Sequence, residues 1–284
     1  MTPATFAFLA DFVKQRSGLV LTADKQYLLE TRLLPIARKN NMNTLDDLAG
    51  ALKTRQTGDL ATSVVEAMTT NETFFFRDNT PFENFANVIL PDLMARGGSR
   101  RVRIWCAAAS SGQEPYSLAM QIKEMGAKAA GWSFEIIGTD IDTEILNRAK
   151  AGTYSQFEVQ RGLPVQMLLK YFTQTGDTWQ ISSEIRSMVQ YRPLNLLRDF
   201  STLGKFDVIF CRNVLIYFDQ AAKADVLGRL SSQLQKDGYL LLGAAETVVG
   251  ITTRFQSVPG RRGLYQANDG AAPAAMVRPR LSAV

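Results

Sequence analysis

Residues 105–120 read Trp105-Cys106-Ala107-Ala108-Ala109-Ser110-Ser111-Gly112-Gln113-Glu114-Pro115-Tyr116-Ser117-Leu118-Ala119-Met120, and this stretch decides what kind of chain this is. Val102 to Cys106 is apolar, with β-branched and aromatic side chains, which predicts a buried strand. Ala107 to Gly112 carries almost no side-chain bulk, and Pro115 suits the first helical position, where a missing N–H costs nothing. A strand that passes through tiny residues straight into a helix bares its backbone at the turn, where a ligand can lie.

The turn resembles the Gly-rich turn of a Rossmann-like unit but lacks G-x-G-x-x-G, whose glycines let a backbone approach a pyrophosphate. The next strand, Phe134 to Gly138, runs into Thr139-Asp140-Ile141-Asp142. An acidic residue at the end of a second parallel strand is where a ribose diol is held, so Asp140 is the candidate ribose ligand. A nucleoside cofactor without a pyrophosphate on such a sheet points to S-adenosylmethionine. The plainer reading is a strand-to-helix turn in which Asp140 or Asp142 caps the helix.

Composition narrows the chemistry. The 284 residues, 46% hydrophobic, suffice for one large domain and a smaller one. No apolar run approaches the roughly 20 residues of a membrane span, and Met1 to Phe6 does not open a signal sequence, which predicts a cytoplasmic protein that does not insert in a membrane. Two cysteines, Cys106 and Cys211, each fall at a strand end and read as reduced core thiols. With no histidine and no cysteine cluster, no metal site is expected, and neither is a His-activated nucleophile or the commonest general base. The net charge of +5 is mildly basic, short of the concentrated patch of a nucleic-acid binder.

Residues 3 to 69 read as helices. Phe6, Leu9, Phe12 and Val13 repeat at helical spacing before Gly18. Thr22 is placed to cap a second helix reaching Asn40, kinked or broken at Pro35; Thr44 caps a third; Asp59 starts a fourth ending at Met68. Thr80-Pro81 opens another helix that runs to Gly97-Gly98. Strands near 102–106, 134–138, 188–191, 206–211 and 239–243, with helices between several of them, give the rhythm of a mostly parallel sheet, and 255–258 with 264–266 adds an antiparallel edge hairpin. Short strands at Thr153 to Phe157 and Thr178 to Ile181 around a helix at Pro164 to Tyr171 mark an inserted β-subdomain, 153–186. The expected organisation is an α/β protein: an all-helical unit over 1–70, a Rossmann-like unit over 71–268 carrying the insert, and a disordered tail over 269–284.

Several segments together carry a family resemblance: Thr70-Asn71-Glu72-Thr73 through Phe76-Arg77, the Ala-Ala-Ala-Ser-Ser-Gly turn with Glu114-Pro115-Tyr116-Ser117, Gly138 to Asp142, Asn195-Leu196-Leu197, and Phe210-Cys211-Arg212-Asn213-Val214-Leu215-Ile216-Tyr217-Phe218. Over about residues 5 to 266 the chain resembles the CheR-type chemotaxis receptor methyltransferases. The resemblance implies methyl esterification of glutamate side chains on the cytoplasmic helical bundle of chemoreceptors, with S-adenosylmethionine as donor and S-adenosylhomocysteine as product. It also implies cofactor contacts at Asn71, Thr73, Arg77, Glu114, Asp140, Asn195, Leu196, Arg212 and Asn213, with Arg77 and Tyr217 nearest the transferred methyl. One departure is Ala244-Ala245-Glu246, where the family pattern has a His-Ser or Gly-Ser step before the glutamate.

The chemistry fits the composition. A glutamate carboxylate, with a pKa of about 4.3, is already an anionic nucleophile at neutral pH and needs no base. What remains is to align it with the S–methyl bond, and the planar fork of Arg77 can hold a carboxylate, the acceptor's or the cofactor's own. Each residue also has an ordinary reading: Arg77 as a solvated charge, Tyr217 as packing, Glu114 as a helix-start acid, Asn195 and Asn213 as turn closers. Lys25, Arg32 and Lys39 recur at a spacing of seven and lie on one helix face, a stripe able to dock an acidic receptor helix, although a solvated face is the commoner reason for such spacing. The insert's edge could add a receptor tail peptide as a strand, and a monomer is expected. Two other functions stay open: methylation of a different substrate, disfavoured for nucleic acid by the lack of an Asn/Asp-Pro-Pro-Tyr step at 211–214, and a non-catalytic cofactor sensor or docking module.

Overall fold

The computed structural model describes residues 1–54 and 57–268; the tail over 269–284 lies outside the described residues. The chain opens with four helices, α1 (Pro3–Ser17), α2 (Gln26–Lys39), α3 (Leu45–Thr54) and α4 (Asp59–Met68), which pack Leu9, Val13, Leu29, Leu33, Leu48 and Val64 into one core. Caps fix their ends. Thr2 accepts from the N–H of Thr5, and Thr44 from that of Asp47 at 3.1 Å. Thr22 is not a helix cap: a short 3-10 turn, Ala23–Lys25, intervenes, and α2 then passes through Pro35 without a break.

Helices α5 (Thr80–Asn84) and α6 (Leu90–Ala95) are joined by a π turn, Phe85–Ile89, where sequence periodicity predicts one plain helix. The Leu90 N–H reaches back five residues to the Phe85 carbonyl, directly before Pro91, which has no N–H to offer a regular turn.

A seven-stranded sheet follows, built from β1 (Arg101–Ala107), β2 (Ser133–Asp140), β6 (Val189–Pro193), β7 (Phe206–Cys211), β8 (Leu234–Leu242), β9 (Phe255–Ser257) and β10 (Leu264–Ala267) in the order β6-β2-β1-β7-β8-β10-β9. The first five pair in parallel; β10 and β9 add antiparallel strands at one edge. Helices α7 (Gln113–Glu124), α8 (Thr143–Ala151) and α12 (Gln220–Gln233) connect the strands, and apolar cores fill both faces. The chain moves outward from β1 through β2 to β6, then returns to β7 on the other side of β1. That reversal opens a crevice at the carboxyl ends of β1 and β7.

Between α8 and β6 lies a second sheet of order β3-β5-β4, from β3 (Thr153–Ser155), β4 (Phe172–Thr175) and β5 (Thr178–Ile181), with α9 (Gln156–Gln160), α10 (Val165–Tyr171) and α11 (Ser183–Arg186) around it. The expected strand to Phe157 is cut short at Ser155, whose hydroxyl and Glu158 form a reciprocal cap that starts α9. The insert is not a loose appendage. Tyr154, Leu168 and Phe172 belong to the main core, and the Tyr154 hydroxyl donates to the Ser111 carbonyl in the β1–α7 turn at 2.8 Å.

Candidate active site

The β1–α7 turn is tighter than its sequence alone shows. Ala108 and Ser110 take left-handed φ values of 58° and 50°, and Gly112, at φ 93°, starts α7. A side chain at Gly112 would meet the Tyr191 hydroxyl at 2.5 Å, so both conformation and space require glycine there. Pro115 occupies the third helical position rather than the first. The earliest intrahelical bond is Tyr116 N–H to Gly112 carbonyl, so proline still leaves no bond unmade.

This turn and the ends of β2, β6 and β7 surround a cavity of about 1000 Å³, its open mouth included. Asn71, Thr73, Arg77, Glu114, Asp140, Asn195, Leu196, Arg212, Asn213 and Tyr217 all line it. Lys25, Arg32 and Lys39 do not. The helical unit supplies the opposite wall through Ser17, Leu19 and 68–70, a contribution that helical periodicity could not reveal.

Asp140 is buried and accepts the Ser110 N–H at 2.8 Å and the Asp142 N–H at 3.1 Å, one on each oxygen. Burial outweighs these bonds and pushes its carboxyl up to about 6. A carboxylate offers about four acceptor sites, so capacity remains for hydroxyl donors. The helix cap is Asp142, which takes the Ile145 N–H at 3.0 Å and, on its other oxygen, Asn71 Nδ2 at 2.7 Å. Asn71 thus braces the wall through its side chain.

Glu114 and Arg212 form a buried pair at 2.7 Å, and Arg212 also donates to Asp78 at 2.7 Å and to the Arg77 carbonyl at 2.9 Å. Burial raises the Glu114 carboxyl against the pull of Arg212. The Arg212 guanidinium is therefore a bracket built into the cavity wall. Arg77 stands in the wall with Nη1 donating to the Glu72 carbonyl at 2.7 Å. Asn195 closes its own turn by accepting the Leu197 N–H at 2.9 Å, and its amide donates to the Arg16 carbonyl at 2.5 Å, tying the β6 end to α1. Tyr217 is half-buried in a 3-10 turn, Leu215–Tyr217, and its carbonyl accepts the Val20 N–H at 2.9 Å.

Sequence reasoning missed Glu246. Its buried carboxylate accepts five backbone N–H groups, from Val214, Leu215 and Ile216 on one oxygen and Asn213 and Gly243 on the other, at 2.7 to 3.3 Å. Asn213, at φ 60°, is thereby held in a left-handed turn. Ala244 and Ala245 are exposed, so the departure from the family pattern leaves this network untouched. The available signal was an acid four residues after a strand end, close to the placement logic that singled out Asp140.

In the proposed docking stripe, Lys25 and Lys39 are exposed, but Arg32 has another task. Its Nη1 donates to the Met68 and Thr69 carbonyls at 2.9 and 2.6 Å, closing the end of α4 against the cavity wall.

Comparison with known proteins agrees with this architecture. The CheR methyltransferase all-alpha domain matches residues 4–69, and the CheR methyltransferase SAM binding domain matches residues 71–264. Chemotaxis protein methyltransferase 1 of Pseudomonas aeruginosa is 43% identical over 261 residues, spanning 90% of this chain and 94% of that protein. Chemotaxis protein methyltransferase 1 of Vibrio cholerae is 42% identical over 250 residues, spanning 87% and 90%. With a helical unit joined to an S-adenosylmethionine-dependent methyltransferase fold and both matched domains in order, the chain belongs to the CheR methyltransferase family.

Proposed function

We propose that the protein methyl-esterifies glutamate side chains on the cytoplasmic domain of chemoreceptors, working as a cytoplasmic monomer in sensory adaptation. The observation that carries this reading is the single cavity that gathers a buried ribose acceptor, Asp140, a buried acid, Glu114, and a guanidinium, Arg77, in a chain without histidine. The donor set fits S-adenosylmethionine. Asp140 retains acceptor sites for a ribose diol, one Glu114 oxygen is left for an ammonium group, and Asn195, Leu196 and Asn213 offer backbone at the strand ends. The cofactor, once bound, supplies a methyl group on a sulfonium centre.

The residues need do no proton chemistry. With the cofactor bound, an ionised acceptor glutamate would take its methyl group directly, the carboxylate charge offsetting the sulfonium charge that is lost, so no side chain here would have to take up or give a proton. Arg77 and Tyr217 orient the reacting groups at this end of the cavity and help exclude water. Among the described residues no helix is long and apolar enough to cross a membrane.

The β4 edge of the insert, with Thr173, Gln174 and Thr175 exposed, is suited to add a receptor tail as an extra strand, and Lys25 and Lys39 offer a second contact for an acidic helix. The test is incubation with methyl-labelled S-adenosylmethionine and receptor cytoplasmic fragments. Label on glutamate that is released by mild base is expected; base-stable label, or none, overturns the reading.

A further inference from the structure

We infer that Arg161, in the insert, is a positioning residue for Arg77, and that Phe74 and Glu72 connect the two; this rests on the reading of Arg77 as a group at the methyl-transfer end of the cavity. Four contacts meet on the segment between α4 and α5. The Arg161 guanidinium carbon lies 4.2 Å from the centroid of the Phe74 ring, and that of Arg77 lies 5.5 Å from the same centroid. Arg161 pairs with the Glu72 carboxylate at 2.7 Å, while Arg77 donates to the Glu72 carbonyl at 2.7 Å. One residue therefore holds both cations, Arg161 by its side chain and Arg77 by its backbone.

The arrangement has a physical logic. Two guanidinium groups on one aromatic ring repel each other unless an anion sits beside them, and Glu72 is that anion; the hydrogen bond and charge of Arg161, with a smaller pull from Arg77, hold its carboxyl below the usual range. The insert backbone approaches closely at the same place. Gly162, at φ 81°, leaves no room for a side chain, because a Cβ there would lie 2.1 Å from the Phe75 carbonyl oxygen. The Arg161-Gly162 step is thus seated on the 72–77 segment, and Arg77 reaches the cavity from the other end of that seat. Arg161 does not line the cavity itself.

The consequence is specific. Arg161 limits the orientations open to Arg77 and should influence methyl transfer without touching either substrate. In the full-length protein, Arg161→Ala should lower kcat by about three- to tenfold, the scale of one exposed ion pair plus one cation–π contact. The affinity for S-adenosylhomocysteine and the KM for the receptor fragment should stay unchanged. Arg161→Lys, which keeps the charge on Glu72 but loses the flat stacking surface, should fall between the two, and Phe74→Leu should add little to Arg161→Ala because both break the same connection.

A second readout needs no receptor. The rate at which phenylglyoxal modifies Arg77, followed on its peptide by mass spectrometry, should rise severalfold in Arg161→Ala as Arg77 is released. Unchanged Arg77 reactivity overturns the proposal. So does an effect confined to receptor KM, which would make Arg161 a docking residue, or full additivity with Phe74→Leu. Failure of the methyl-transfer reading would show separately, as absence of labelled ester with the unsubstituted protein.

Discussion

Asp140 shows how a single side chain couples stability to binding. Its carboxyl is raised to about 6, so the folded protein holds a proton that the unfolded chain releases near 4. The stability associated with that proton is fully present below the unfolded value and is lost as pH rises through about 6, at most about 3 kcal/mol. Cofactor binding runs the opposite way, because ribose hydroxyls need an ionised acceptor. Calorimetric titration with S-adenosylhomocysteine should show affinity about tenfold weaker at pH 5 than at pH 7.5, with proton release at the lower pH. Asp140→Ala should weaken binding by about 1.5 to 3 kcal/mol and flatten the profile. A flat profile in the unsubstituted protein would remove Asp140 from the ribose contact. Arg77 invites a different measurement. Arg77→Ala should reduce kcat/KM by at least about tenfold, and Arg77→Lys should not restore it, since an ammonium cannot reproduce the planar fork while reaching the Glu72 carbonyl. A rise in KM confined to the cofactor assigns Arg77 to the cofactor's carboxylate; a rise confined to the receptor fragment assigns it to the acceptor glutamate. Full activity in the lysine variant would reject bidentate positioning altogether.

The site is assembled from turns at strand ends, and the turns differ in what holds them. The β1–α7 turn is held by its own small residues and by Asp140, whereas the turn after β7 depends on Glu246 from the loop that follows the neighbouring strand β8. Glu246→Gln should cost about 3 kcal/mol in denaturant unfolding, because an amide keeps one acceptor oxygen and turns donors toward two of the five N–H groups. Cofactor affinity should fall with it, since Asn213 and Tyr217 ride on that turn. Stability within about 0.5 kcal/mol of the parent would show that the N–H groups find other partners. This contrast explains what the sequence could disclose. The parallel sheet, the edge hairpin and the helix over 59–68 follow from local periodicity, and Asp140 follows from its place after the second strand. Glu246, the wall from 68–70 and the bracket role of Arg212 depend on contacts between residues 30 to 135 apart in sequence, which no local pattern encodes. The π turn at Phe85–Ile89 was hidden for a different reason, because its apolar spacing is that of an ordinary helix.

At the scale of the whole molecule, the helical unit and the sheet unit share the cavity. Glu66 accepts from the Thr143 N–H and hydroxyl, Lys14 pairs with Asp219 at 2.9 Å, and Ile141 packs against the helical core. A division at residue 70 therefore runs through the wall of the site, and removing the helical unit would remove Ser17, Leu19 and Met68 from the lining. Deleting the insert is equally drastic, since Tyr154 and Phe172 lie in the main core, so recognition is better probed by exposed charges. Lys25 and Lys39 are exposed and lie outside the cavity, whereas Arg32 between them closes α4. Reversing Lys25 and Lys39 together to glutamate should slow receptor methylation by about three- to tenfold at 10 mM salt and much less at 150 mM, where the Debye length has fallen from about 30 to about 8 Å. Affinity for S-adenosylhomocysteine should not change. Arg32→Glu should behave differently, lowering both stability and cofactor affinity at every salt concentration, because it leaves the Met68 and Thr69 carbonyls without their donor and places a negative charge beside them. If the double lysine reversal leaves the rate and its salt dependence as they were, the two lysines are only a solvated face and the receptor is held elsewhere.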